Sequence, residues 1–259
     1  MRGRVSNEHL TYPNPTIQEA VCEIHFRLPD GVAWKSSLFG ELFKRVQPEF
    51  PELEPVAQIG LQVQLEPSGV GHTLLPMQHQ IRYKHASRNL LLQLSERTLA
   101  VNVMPKYPGW MHMSKDILDA WSAAREVIKP ASITRIGLRY INRIDRSRPD
   151  ESPGDWFAPS DYIPRAVLSS LPGFLSRLEA RPTIDSRRIV TLGEVTAHPD
   201  SIQDARAILL DIDCIVEKEI GVDDQAIIKE ITVLHDAAWE IFSASRTPRL
   251  EQLLRGNKQ

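Results

Sequence analysis

The stretch ITRIGLRYINRID, residues 133–145, decides how we interpret the rest of this sequence. Its even positions are mostly apolar, whereas its odd positions include Arg135, Arg139 and Arg143. Successive side chains of a β-strand point to opposite faces of a sheet, so a period of two over this length indicates a strand. We therefore predict a strand with one face in a core and one cationic face.

Composition places the chain among globular proteins. It has 259 residues, of which 42% are hydrophobic and 25% are charged, enough for one large core or two smaller ones. The formal net charge is only -2, so no global field draws the protein to nucleic acid or to an anionic membrane. We find no signal peptide and no apolar run long enough to span a membrane, and expect a cytoplasmic protein. Cys22 and Cys214 fit buried thiols better than a disulfide.

The order of elements along the chain predicts an α+β fold. A strand over residues 20–28 has the same alternating pattern as the quoted stretch, and a helix follows it up to Val46. Next come strands at 60–66, 80–84, 90–95 and 98–104 and a helix at 114–129. After 133–145 we predict a helix through Val167 and Leu171, strands at 174–181, 188–196 and 207–217, and a helix at 223–245.

The two halves of the chain, residues 1–130 and 131–259, have a similar predicted order of elements. Each reads as a strand, a helix, several antiparallel strands and a long helix. A duplication would join them into one compact unit with a saddle-like sheet, as in TATA-box-binding-protein-like folds, although two unrelated halves would give the same pattern. In both cases a mostly antiparallel sheet with helices on one face leaves the other face for a ligand.

Charged residues of both signs are predicted on the sheet face away from the helices. We call this set of residues the charged sheet face. The simplest interpretation is a solvated face with cross-strand ion pairs, each contributing about 0.2 to 1 kcal/mol. Its members are Glu23, His25, Arg27, Arg135, Arg139, Arg143, Asp211 and Asp213.

Two other interpretations of the charged sheet face involve phosphate. Asp211, Asp213 and Glu23 are oxygen ligands suited to a divalent cation, which would give a metal-dependent phosphate-handling enzyme or a nucleotide binder. The arginines would equally contact nucleic-acid phosphates, but the acids beside them repel a polyanion. No established catalytic motif accompanies the D-x-D pattern. We therefore predict no catalytic residue, metal or cofactor, and favour a non-enzymatic interaction protein that binds another protein, with a homo-oligomer left open.

Two further segments have simple interpretations. The run Trp110–Met113 follows Pro108-Gly109 and is expected to be an exposed apolar loop, a candidate partner contact. His235 lies beside Asp236 in the last predicted helix and has no second histidine at helical spacing. We expect it to be a packed or surface residue and not a catalytic base.

Several motifs together resemble a known family. They are NPTIQEAVCEI at 14–24, RIGLRYINRI at 135–144, LDID at 210–213 and the Leu234-His235 pair. Together they are similar to a sporadically distributed family of uncharacterised bacterial proteins of about this length, and the resemblance covers nearly the whole chain. The family's patchy distribution is similar to that of mobile or defence-associated genes. The resemblance therefore implies a partner-binding role, such as that of an antitoxin or an immunity component.

Overall fold

The structure, a computed structural model, describes residues 11–58, 61–66, 69–74, 78–146, 148, 150–169, 173–196 and 206–256. These residues form eleven strands: β1 (Ile17–Arg27), β2 (Glu52–Gln58), β3 (Leu61–Glu66), β4 (Gly69–Leu74), β5 (Gln78–Lys84), β6 (Leu90–Leu94), β7 (Thr98–Val103), β8 (Ser132–Asp145), β9 (Leu175–Thr183), β10 (Ser186–Thr196) and β11 (Arg206–Ile220). They also form six helices: α1 (Ser37–Val46), α2 (Trp110–Ile128), α3 (Pro153–Trp156), α4 (Arg165–Leu168), α5 (Asp224–Ala244) and α6 (Pro248–Leu254).

Nine of these strands form one open antiparallel sheet. Their order is β2-β5-β6-β7-β1-β8-β11-β10-β9, and β3 pairs only with β4 in a separate two-stranded sheet. The predicted α+β fold with an antiparallel sheet is therefore confirmed. The first strand of each predicted half, β1 and β8, meet at the centre of the sheet. One sheet thus spans both halves, while their origin by duplication stays a prediction.

A single hydrophobic core lies on one face of this sheet. On β1 every second residue from Ala20 to Phe26 is buried, and the same alternation runs through β8 and β11. All six helices contribute buried residues to this core cluster, for example Trp121 of α2 and Ile231 of α5. The helices therefore pack against one face, and the residues of the charged sheet face lie on the other.

The two longest helices, α2 and α5, are held together by hydrogen bonds at the start of α5. The Asp223 carboxylate accepts a hydrogen bond from the Ala226 backbone N–H at 2.9 Å, which is an N-cap. Immediately before it, the Val222 carbonyl accepts hydrogen bonds from Trp121 Nε1 at 2.8 Å and from Arg125 Nη1 at 2.9 Å. These bonds hold the start of α5 against α2. None of the described helices is both long enough and apolar enough to cross a membrane.

Several predicted elements differ from the structure. Helix α2 begins at Trp110 and not at Ser114, so the run Trp110–Met113 is its first turn. The run is therefore helical and not a loop, and the expected exposure holds for half of it: Met111 and His112 are exposed, whereas Met113 is buried and Trp110 stacks on His235 with ring centroids 4.1 Å apart.

The helix predicted through Val167 is shorter than expected. Among the described residues of this segment, Arg165–Leu168 is helical. The helix starts after Pro164, because this proline restricts the residue before it to extended conformations. Leu171 and Gly60, which fall at the ends of predicted elements, lie outside the described residues. Strands β2 and β4 were not predicted at all.

Candidate functional site on the charged sheet face

The register of the three central strands brings the predicted residues together. Strand β8 lies between β1 and β11, and Arg139 is directly opposite Val21 on one side and Asp213 on the other. Arg135 is likewise opposite His25 and Glu217. Because all these positions alternate with buried core residues, their side chains lie on the face opposite the helices.

A chain of ion pairs crosses five strands of this face. Arg135 Nη1 lies 3.0 Å from Glu23 on β1, and Arg135 Nε lies 3.8 Å from Glu217 on β11. On the other side of β11, Arg187 Nη2 of β10 is 2.8 Å from Glu217, and its Nη1 is 3.4 Å from Glu179 of β9. Cations and anions therefore alternate across half of the sheet, which ties neighbouring strands together.

His25 belongs to the same network. Its Nε2 lies 2.6 Å from Arg135 Nη1 and 3.4 Å from the Glu23 carboxylate. The proximity of His25 and of Arg135 lowers the pKa of Glu23 to about 2, against the smaller opposing effect of burial. Glu23 is therefore ionised at neutral pH, and its charge is held by its neighbours on β1 and β8.

Arg139 and Asp211 form the best-aligned pair of the face. Arg139 Nε donates to Asp211 Oδ1 at 2.8 Å, and Nη2 donates to Oδ2 at 2.7 Å, which is a bidentate arrangement. The hydrogen bonds to Asp211 raise the pKa of Arg139 further above its ordinary value. The Arg139 side chain remains 47% exposed, so it is accessible from solvent.

Asp213 differs from Glu23 and Asp211, the other acids of the charged sheet face, in its contacts and in its pKa. It is half-buried between Arg135 and Arg139, and it makes no hydrogen bond or ion pair with any residue that the structure describes. Burial raises the pKa of Asp213 to about 6, although the charges of Arg135 and Arg139 lower it in part. A carboxylate that titrates near neutral pH at the centre of an exposed face marks a candidate binding group.

The two remaining predicted cations lie toward the ends of their strands. Arg27 contacts Asp30 at 3.2 Å and Glu219 at 3.3 Å. Arg143 contacts Asp145 at 2.8 Å on the same strand. Both therefore pair with acids away from the centre of the face, and neither joins the network around Asp213.

The structure does not bring the proposed metal ligands together. Asp211 is engaged by Arg139, while Glu23 is engaged by Arg135. Within the described part of the chain, no group of three or more His, Cys, Asp or Glu side chains could hold a metal ion. The face therefore consists of mutually paired charges with one unpaired carboxylate, Asp213, at its centre.

The predicted set lacks three residues of the five-strand network, although one of them, Glu217, falls within the strand predicted at 207–217. Arg187 and Glu179 complete it on β10 and β9. The strand predicted from residue 188 began just after Arg187, whereas β10 begins at Ser186. Extending the period of two by one more residue would have placed Arg187 on the same face.

The comparisons with family models and with curated proteins do not assign the chain to a family. No protein-family model matches the chain, and no curated protein matches it. The geometry and charge of the site therefore carry the functional argument.

Proposed function

We propose that this protein is a non-enzymatic recognition module whose charged sheet face binds another protein. The observation that carries the proposal is Asp213, a half-buried carboxylate whose pKa is raised to about 6 by burial. Both neighbouring arginines already contact other acids, Arg135 with Glu23 and Arg139 with Asp211. A cationic or N–H group from a partner would give Asp213 the hydrogen bonds that the described residues do not supply, and binding would recover the cost of its desolvation.

The mixture of charges favours a protein over a nucleic acid as the partner. A polyanion needs a surface of one sign, whereas Glu23, Asp211, Asp213 and Glu217 alternate with the arginines here. Protein interfaces, in contrast, commonly match charges of both signs. Arg139 at 47% and Glu23 at 43% side-chain exposure are accessible to such a partner.

The class of partner that we propose comes from the sequence resemblance. A family with a patchy bacterial distribution fits a component of a defence or toxin–antitoxin system, in which one protein recognises another. In this proposal the charged sheet face selects the partner, while Asp213 and Arg139 provide one acceptor and one donor at its centre.

The test compares Asp213→Asn with a matched control. Glu240→Gln removes a carboxylate from the exposed side of α5, a helix that packs on the sheet face opposite the charged sheet face. The tagged wild-type chain and both variants are isolated gently from the native host and analysed by native mass spectrometry. We expect a stoichiometric protein partner with the wild type and with Glu240→Gln, and about tenfold less with Asp213→Asn, because a desolvated charge pair loses one member.

Unfolding does not confound this comparison, since Asp213→Asn should stabilise the chain. Recovery of the same partner in equal amounts with Asp213→Asn would contradict the proposal. A nucleotide, metal ion or oligonucleotide bound to the wild type in place of a protein would contradict it as well, and would favour the phosphate-handling alternative.

A further inference from the structure

The last strand of the nine-stranded sheet, β9, has a free edge among the described residues. It pairs with β10 on one side, and no described strand pairs with it on the other. The Phe174 carbonyl accepts a hydrogen bond from the Glu194 backbone N–H at 3.2 Å, so the even-numbered residues of β9 direct their backbone groups to β10. The odd-numbered residues, among them Arg177 and Glu179, therefore direct their N–H and C=O groups outward.

The two edge strands of the sheet differ in how well they can accept a further strand. At the opposite edge, β2 carries Pro55 near its middle, and a proline has no N–H to donate. In β9 the proline is Pro182, near the end of the strand, where the pairing with β10 is irregular between Ser186 and Arg188. Residues 175–180 before it pair regularly with β10. Their outer edge is a template for another strand.

The side chains of β9 are poorly covered on both faces of the sheet. No residue of the strand is buried, and Leu175 is 75% exposed. Arg177 and Glu179 follow Leu175 on the same face, with 56% and 40% of their side chains exposed, and their charged groups lie 3.7 Å apart. A neighbouring strand would therefore cover apolar and charged groups that the described residues leave in solvent.

The sequence of β9 is complementary in charge to itself. When two copies of the strand pair antiparallel about a twofold axis at Leu178, Arg177 of each copy lies opposite Glu179 of the other. Because both residues direct their backbone groups outward, each such pair also exchanges both main-chain hydrogen bonds. Moving the axis by one residue places Arg177 opposite Arg177, or Glu179 opposite Glu179, and like charges directly opposite are destabilising. The irregularity after Ala180 disfavours a larger shift.

We propose that β9 is an interface with a second copy of this chain, in which two sheets join edge to edge about an axis at Leu178. An interface of this kind is closed, since both copies use the same edge. Glu179 lies 3.4 Å from Arg187 on the face away from the helices, so the charged sheet faces of the two copies would lie on the same side of one continuous sheet. This interface involves neither Asp213 nor the protein partner proposed above.

Two cysteine substitutions in the full-length chain test the register. Residues that meet on the axis form a non-hydrogen-bonded pair with Cα atoms about 4.5 Å apart, which is within disulfide range. Leu178→Cys should therefore give a cross-linked dimer under mild oxidation, while Cys22 and Cys214 are buried and do not interfere. Ser176→Cys is the matched control on the same face of β9, because Ser176 would lie opposite Ala180 of the other copy. Its two thiols would be about 13 Å apart along the strand and should stay unlinked.

An exchange of charges tests the same register without added cysteines. Arg177→Glu places carboxylates opposite each other, and Glu179→Arg places guanidinium groups opposite each other. We expect the wild type to dimerise with a Kd in the micromolar range, and each variant alone to dimerise at least tenfold more weakly, by sedimentation velocity at low salt. An equimolar mixture of the two variants should restore the dimer, because every glutamate then faces an arginine. Thermal melting checks that each variant is folded, and the cysteine pair decides if one is not.

Four results would overturn the inference. These are a wild-type chain that stays monomeric at about 100 μM, a dimer that neither charge variant weakens, equal cross-linking of Leu178→Cys and Ser176→Cys, and a strand of another protein bound at β9 of a monomeric chain.

Discussion

Replacing Asp213 by asparagine should make the protein more stable at neutral pH. Asn has nearly the shape of a protonated Asp but cannot ionise. The pKa of Asp213 is raised from its ordinary value of 3.8 to about 6 in the folded chain. The unfolded chain therefore releases this proton more readily than the folded chain, and ionisation favours unfolding.

The size of the effect follows from the pKa shift. The pKa of Asp213 is about two units higher in the folded chain than in the unfolded chain. This corresponds to about 3 kcal/mol, because a pKa shift of one unit equals about 1.4 kcal/mol. The sign is fixed by the direction: wild-type stability is undiminished below pH 3.8 and falls as pH rises through 6. At pH 3 the two proteins should be about equally stable, and at pH 7 Asp213→Asn should be more stable by about 3 kcal/mol. For a chain of this length that difference is on the order of 6 to 12 °C in melting temperature.

Urea denaturation of both proteins between pH 3 and pH 8 measures this difference. Asp211→Asn is a close control, because it lies two residues away on the same strand but accepts the bidentate pair from Arg139. That variant should lose stability at pH 7, by up to about 1 kcal/mol, since the pair is partly exposed. An Asp213→Asn variant that is less stable than wild type at pH 7, or a difference independent of pH, would refute the reasoning.

Three further substitutions have defined outcomes. Glu23→Gln should lower the free energy of unfolding by up to about 1 kcal/mol at pH 6, a small value because the Glu23 side chain is partly exposed. The loss should disappear as the pH falls toward 2, where Glu23 becomes protonated. A loss that is the same at every pH in urea denaturation between pH 2 and pH 6 would contradict this prediction. Tyr140→Phe should lower the free energy of unfolding by about 1 to 3 kcal/mol, because it breaks the buried bond with His235; chemical denaturation with an unchanged midpoint would show that this bond is not needed. Asp223→Ala should cost about 1 kcal/mol through loss of the α5 N-cap, whereas Asp223→Asn should retain most of it, and calorimetry distinguishes the two.

A secondary-structure element is predicted well from the sequence when one of its faces is clearly apolar and the other is clearly polar or charged. Strand β8 was expected over residues 133–145 and runs from Ser132 to Asp145, because apolar and charged side chains alternate along it. No strand was predicted over β2, in which Pro55 has no backbone N–H to donate and therefore argues against a central strand. Pro55 is tolerated there because β2 is an edge strand, which forms backbone hydrogen bonds on one side only.

The start of α2 was missed for a different reason. N-terminal caps are usually identified from the side chains of Ser, Thr, Asp or Asn, and the predicted helix began at a residue of this kind, Ser114. The actual cap is Gly109, which has a φ of 95° and makes no side-chain hydrogen bond. A glycine that supplies only backbone conformation leaves no polar signature in the sequence.

The alternating pattern places the site residues on a common face but does not pair them. Arg139 is directly opposite Asp213 in the ladder, yet its guanidinium binds Asp211, the diagonal neighbour. Diagonal pairs lie within reach of a long arginine side chain, so both acids were available to it. The choice between them depends on strand register and side-chain geometry, which a single sequence does not encode locally. Because Arg139 pairs with Asp211, Asp213 is left without an ion pair among the described residues.

The position of β1 beside β8 has a consequence for synthesis of the chain on the ribosome. Residue 17 pairs with residue 142, so β1 has β7 on one side but no neighbour on the other until more than half of the protein has been translated. During that interval its backbone N–H and C=O groups on one edge are open to any other strand. An mRNA cut between the codons for α2 and β8 would yield a product with this exposed edge, prone to pair with a second copy of itself.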